Sequence, residues 1–450
     1  MTDQTAPAAP PTPAPDQRDH HSIGGSDPSE VSPLMPTYNP PAVEFVRGEG
    51  PYLWDDNGTR YLDFFAGAGA LNYGHNPDRI KRGLIDYLES DGLSHGLDLF
   101  TSAKGTFLDA FRRHILAPRQ LDYKVQFCSP SGTNAVEAAL KLARLVTGRS
   151  NIVSFGGGFH GMSMGSLAAT GSGYYKQGLR HAMPSTTHIP YPDSPLGPFD
   201  SLDLLRRLIE DPSSGAEKPA AILLETIQAE GGIFVAPEDF LRGLRALCDE
   251  HGILLVIDDI QVGCGRTGQF FSFERAGIAP DLVTLSKSIS GYGLPMSILL
   301  IKPEHDQWQP GQHNGTFRGN QLAFIAAAQV IEHYWRDGGL SDEVSDKGTL
   351  IANYLHRHVV EEFGARVRGM GMIWGIDLSE VPGVDAGQLS ERCFARQLII
   401  ETCGRRDEVL TILPPLTMSK ENLLTGLDTI VAALRAAAGG AYRATYKVAG

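Results

Sequence analysis

Five consecutive apolar residues, Ile253 to Ile257, run straight into Asp258 and Asp259. A strand wetted on one side alternates in polarity. One that is apolar throughout has to be covered on both faces, as the parallel strands of helix-flanked sheets are. Asn151-Ile-Val-Ser-Phe155, Ala220-Ala-Ile-Leu-Leu224 and Asp281-Leu-Val-Thr-Leu285 have the same buried-strand character, and Val125 to Phe127 is a shorter strand. Polar or glycine-rich residues follow each run. This spacing predicts an α/β fold with a mostly parallel sheet, whose carboxyl-end crevice is where such sheets bind ligands.

Lys287 lies just past one of these runs, in Leu285-Ser-Lys-Ser-Ile-Ser-Gly291-Tyr-Gly-Leu-Pro295. Burial at a strand end disfavours an ammonium and favours the neutral, nucleophilic amine that condenses with aldehydes. Asp258 ends the preceding strand, so a carboxylate and an amine are expected side by side at one sheet edge. Upstream, Ser131-Gly132-Thr133 links the strand at Val125 to a helix in which Val136, Ala139, Leu140 and Ala143 keep helical spacing and Gly148 suits the end. Free amides, hydroxyls and the helix dipole meet there, which makes an anion site.

A net charge of −13 argues against nucleic acid or a membrane surface as partner, and no apolar run is long enough to span a bilayer. The five cysteines show no CxxC spacing. They predict reduced thiols in a cytoplasmic protein, with neither a disulfide framework nor a metal site. Residues 1–36 are Pro/Ala-rich and then polar, and are expected to be a disordered tail. Tyr52 to Phe64 should form a hairpin about Asp56-Asn57-Gly58. A long helical pattern starts at Leu322, and an amphipathic helix from Glu421 to Ala438 should stop at Gly439-Gly440, leaving 439–450 as a second tail.

The order of these motifs resembles the class III pyridoxal phosphate (PLP)-dependent aminotransferases, from about residue 40 onward. The resemblance implies fold type I, in which a large domain (70–335) binds the cofactor. A smaller α+β domain would come from both chain ends, 37–69 and 336–438. It also implies that Lys287 carries the cofactor and moves the proton, that Asp258 pairs with the ring nitrogen, and that Ser131, Gly132 and Thr133 cradle the phosphate. Phe159 would lie against the ring in Phe159-His160-Gly161, with His160 beside it, and Gln261 would reach the ring hydroxyl. Thr316, in Gly315-Thr-Phe-Arg-Gly-Asn320, would reach the phosphate of a neighbouring subunit in a homodimer.

Asn72 and Tyr73, after a glycine-rich run, would line the substrate entrance, and Glu230 corresponds to a gating glutamate. The chain departs from the class at two places: Met162 and Thr411 stand where many members carry arginine. Within the class, the runs around Tyr73, His160, Gln261 and Lys287 most resemble the enzymes that exchange an amino group between diaminobutyrate and 2-oxoglutarate in ectoine and siderophore pathways. Another ω-aminotransferase, an aminomutase, and a silent protein that keeps the pocket are the open alternatives.

Overall fold

A computed structural model of the chain describes residues 43–179, 183–195 and 199–446, with side chains to residue 439. The tail expected at 1–36 lies outside these residues. At the centre is a seven-stranded sheet in the order Lys124–Phe127, Ile298–Ile301, Leu282–Leu285, Leu254–Asp258, Ala221–Leu224, Ile152–Phe155, Thr186–Ile189. Ile298–Ile301 runs antiparallel to both of its neighbours, and the pairings among the others are parallel. The apolar runs of the sequence are the strands of this sheet, and every residue of Leu254–Asp258, Leu282–Leu285, Ala221–Leu224 and Ile152–Phe155 is buried.

The helix Gly132–Thr147 begins at the Ser131 turn and ends at Gly148, whose φ of 69° is the left-handed conformation glycine adopts without strain. The hairpin forms as Tyr52–Asp55 against Arg60–Asp63. Its sheet is completed by Phe45–Glu49 on one side and, on the other, by Leu398–Ile399 from far down the chain. A second four-stranded sheet orders Arg366–Met370, Ile373–Asp377, Val409–Ile412 and Glu401–Cys403.

Two helical expectations change. The pattern from Leu322 is two helices, Gln321–Tyr334 and Gly339–Leu355, broken near Asp337-Gly338. The last helix, Lys420–Tyr446, passes through Gly439-Gly440 without stopping. Each helical glycine costs only about 1 kcal/mol relative to alanine, and alanines on both sides carry the helix across.

Candidate active site

The carboxyl ends of the parallel strands bring the expected residues together. Asp258 closes Leu254–Asp258 and is buried. His160 Nδ1 lies 2.7 Å from its Oδ2, Thr284 Oγ1 donates to its Oδ1 at 3.0 Å, and the Ile260 amide adds a longer bond. Thr284 sits one strand over, paired with Asp258 in register. A carboxylate held from several directions keeps one orientation and loses little on meeting a cationic partner.

Lys287 follows the next strand in left-handed conformation, with φ of 51°. For a side chain with a Cβ this costs on the order of 1–2 kcal/mol, and its neighbours hold it there. Ser286 Oγ donates to Met296 O at 2.8 Å, Ser288 Oγ to Gly69 O at 2.7 Å, and Lys287 Nζ to Ala68 O at 2.9 Å. The last two acceptors, Gly69 O and Ala68 O, belong to a segment that is itself left-handed at Ala66, Gly67, Ala68 and Gly69. Two strained turns therefore brace one another around the amine. Burial lowers the Lys287 pKa, and Glu230, Glu225, Asp258 and Glu401 oppose that shift.

The helix N-terminus is set for an anion. The first-turn amides of Gly132 and Thr133 have no carbonyl to bond within the helix. A Cβ on Gly132 would lie 2.9 Å from Ile260 Cδ1, so a side chain there would have to displace that methyl group. Thr133 Oγ1 is within hydrogen-bond reach of Ser163 Oγ and Ser166 Oγ, and Ser131 caps the turn through Asn134. Phe159 is partly buried, its amide fixed by Glu225 Oε2 at 3.0 Å and its ring edge-on to Tyr175. Anion cradle, flat aromatic face, pinned carboxylate and desolvated amine suit a planar ring that carries a phosphate, a basic nitrogen and an aldehyde. The residues present therefore fit the cofactor implied by the sequence resemblance.

Other expected residues lie elsewhere. Asn72 is buried; its amide donates to Cys264 O at 2.9 Å and its oxygen accepts from Arg266. Tyr73 is buried against Tyr334 and accepts from Trp335 Nε1 at 2.8 Å. Both brace the fold behind the glycine-rich turn instead of lining an open entrance, because the turn points their side chains into the core. Gln261 Nε2 donates to Glu230 Oε1 at 3.2 Å, so these two predicted residues hold each other. Thr316 is exposed on a loop whose Gly315 sits against Ser129. Met162 is exposed, and Thr411 is buried opposite Glu401 across paired strands.

Several groups escaped the sequence reading. Glu225 is buried with its pKa raised well above normal by burial and then by Asp258. Burial, Glu230 and Asp407 push Glu401 up to about 8, against the pull of Lys287. A cavity of about 280 Å³ next to this cluster is lined by Phe159, Tyr175, Glu230, Gly404, Arg405 and Asp407, among others. Gly404, Arg405 and Asp407 lie in the loop after Glu401–Cys403, a strand of another sheet, so the strand ends of the central sheet do not point to them.

Asp259, whose carboxylate accepts from the Ser272 amide at 3.0 Å, is raised to about 7 by burial. The folded state then holds its proton more tightly than the unfolded chain, so this group costs stability as pH rises from about 4 to 7. In Asp259→Asn the drop in melting temperature between pH 5 and pH 8 should shrink. An unchanged drop would mean that the carboxyl group titrates normally.

Residues 35–434 match the family Aminotransferase class-III. The chain is 51% identical over 395 residues to the diaminobutyrate--2-oxoglutarate transaminase of Bordetella parapertussis, covering 87% of this chain and 90% of that protein. To the protein of the same name from Streptomyces anulatus it is also 51% identical, covering 88% and 93%. Among solved structures, the ornithine aminotransferase from Toxoplasma gondii superposes with a TM-score of 0.80 at 23% identity, covering 92% of this chain and 94% of that one. The N-acetylornithine aminotransferase of Stenotrophomonas maltophilia gives 0.70 at 28% identity, covering 89% and 97%.

Proposed function

The chain belongs to the class-III aminotransferases, and from that premise we propose that it moves an amino group between L-2,4-diaminobutyrate and 2-oxoglutarate. The products are L-aspartate 4-semialdehyde and glutamate. Half-identity across most of the chain to diaminobutyrate--2-oxoglutarate transaminases is the observation that carries this substrate assignment. Pyridoxal 5′-phosphate is the cofactor; when bound, it supplies the aldehyde that accepts the amine and the ring that takes up electrons as the substrate carbon loses its proton.

In this reading Lys287 would hold the cofactor through Nζ, and its amine, once freed, would carry the proton off the reacting carbon. Burial lowers its pKa, the direction that favours the neutral amine such a base requires. Asp258, held by His160 and Thr284, would pair with the ring nitrogen of the bound cofactor and stabilise a proton there. Gly132, Thr133 and Ser131 would bind the phosphate, and Phe159 would cover the ring and exclude water. Gln261, beside Glu230, would meet the ring hydroxyl.

Residues 70–335 form the cofactor domain and the two chain ends the smaller one, a division supported by the sheet that Arg60–Asp63 shares with Leu398–Ile399. The working unit is a homodimer in which Thr316 serves the partner's phosphate. Phe100, Leu99 and Phe317 are exposed apolar side chains on the Thr316 loop or on the segment that Arg318 and Asp98 tie to it, and they suit such an interface. Five buried free thiols suit a reducing, cytoplasmic setting, and the pathway is that of ectoine or of a siderophore. No helix among the described residues is long and apolar enough to cross a membrane.

Donor profiling tests the substrate. Diaminobutyrate should exceed 4-aminobutyrate in kcat/KM by roughly a hundredfold, because the donor without an α-ammonium leaves an acidic lining unpaired. If 4-aminobutyrate proves an equal or better donor, diaminobutyrate is wrong while the aminotransferase family stands.

A further inference from the structure

Both proposed substrates make the same demand at their far end. In diaminobutyrate the carboxylate carbon is three bonds from the reacting C4, and in 2-oxoglutarate the distal carboxylate carbon is three bonds from the reacting C2. 4-Aminobutyrate has the same spacing. One cation at a fixed distance could therefore serve every half-reaction, yet Met162 and Thr411 offer none.

The loop after Glu401–Cys403 supplies a candidate. Arg405 lines the cavity together with Phe159, Tyr175 and Glu230, and its guanidinium reaches over Gly157, to 3.7 Å from where a Cβ there would stand. It makes no hydrogen bond or ion pair among the described residues. Arg368, the other guanidinium near this loop, is committed: Nη1 to Asp377 at 2.9 Å, Nε to Gly232 O, and its plane over Phe234. A planar, unpaired guanidinium at a cavity wall is suited to grip a carboxylate with two parallel bonds.

The same chain segment brings an acid. Glu401 lies opposite Thr411 in register, and the Gly404 amide donates to Glu230 O at 3.0 Å, tying this segment to the one that carries Glu230. The Glu401 carboxylate is partly buried and makes no hydrogen bond or ion pair among the described residues. Its charge, like that of Glu230, acts to raise the pKa of Lys287. At the position where an arginine would pair with the gating glutamate, this chain has a short hydroxyl and, across the strand pair, a second carboxylate.

Resting on the proposed substrate pair, we propose that Arg405 binds the distal carboxylate of every substrate, and that Glu401, with Glu230, binds the α-ammonium present only in diaminobutyrate. The far end of the site is thus a zwitterion clamp built from one strand and its following loop. Arg405 supplies affinity common to both half-reactions, and Glu401 supplies the choice of donor.

The test uses the purified holoenzyme and three compounds: diaminobutyrate, 4-aminobutyrate and 2-oxoglutarate. Arg405→Ala should lower kcat/KM for all three by roughly ten- to a hundredfold, and Arg405→Lys should recover part of the loss. Glu401→Gln should reduce the ratio of diaminobutyrate to 4-aminobutyrate efficiency about tenfold or more. The clamp is overturned if Arg405→Ala changes no substrate by more than twofold, or if Glu401→Gln leaves the ratio within twofold of the parent. Failure of the substrate reading looks different. The unmodified enzyme would then show no preference between the two donors, and Arg405 would still be decided on 2-oxoglutarate.

Discussion

Lys287→Ala should abolish turnover and remove the visible absorbance of lysine-bound cofactor from the purified protein. Proton transfer by a positioned side chain alone contributes about 10²–10⁴-fold. Here one amine both holds the cofactor and carries the proton, so the loss should be at the upper end or beyond. The groups whose charge acts on this amine, Glu230, Glu225, Asp258 and Glu401, are all carboxylates that cannot replace it as the amine nucleophile. Lys287→Arg should fail as well, since a guanidinium keeps its proton and is no nucleophile. Single-turnover assays with diaminobutyrate and an absorbance scan decide the matter. Turnover within tenfold of the parent would remove Lys287 from the chemistry.

Arg266→Met should strongly destabilise the protein. Arg266 has no exposed surface, and its guanidinium donates to Met372 O at 3.0 Å, to Pro414 O and to Asn72 Oδ1. Through these bonds one side chain ties the glycine-rich turn, the Met372 hairpin and the Pro414 segment together. Methionine fills much of the volume but leaves three buried acceptors without donors, each worth about 1–3 kcal/mol. Breaking a buried charged network costs about 3–5 kcal/mol, so in a chain of this length the melting temperature should fall by roughly 3–5 °C. Arg266→Lys should restore only part of the network, because an ammonium is a point charge without the fork. A melting temperature within two degrees of the parent would show that the three segments are held by packing alone.

The parts of the site that were legible in the sequence are those set by strand ends. Buried parallel strands are read as apolar runs, and whatever follows them must lie at the sheet's carboxyl edge. Asp258, Lys287, Phe159 and the Ser131 turn could therefore be placed from sequence order. Where a side chain turns after a glycine-rich stretch depends on backbone dihedrals that composition does not encode. Asn72 and Tyr73 accordingly point into the core, contrary to expectation. Glu401 lies on a strand of a different sheet, paired with Val409–Ile412, and Arg405 lies in the loop that follows it. Register across strands is a tertiary property, and no local pattern announces it. The glycines at 439 and 440 misled for a simpler reason: a small energetic cost does not terminate a helix that flanking residues favour.

The pairing of Leu62 with Leu398 carries a consequence for how the chain is made. The ribosome releases Leu62 with 336 residues still to be added before its partner strand appears. At about 5–20 residues per second the wait is roughly 17–70 s. Throughout that interval the amino-terminal hairpin has an open edge, the kind of surface that pairs with neighbouring nascent chains. Birth of this protein thus includes a period in which its first-made strands depend on dilution or on a chaperone to stay single.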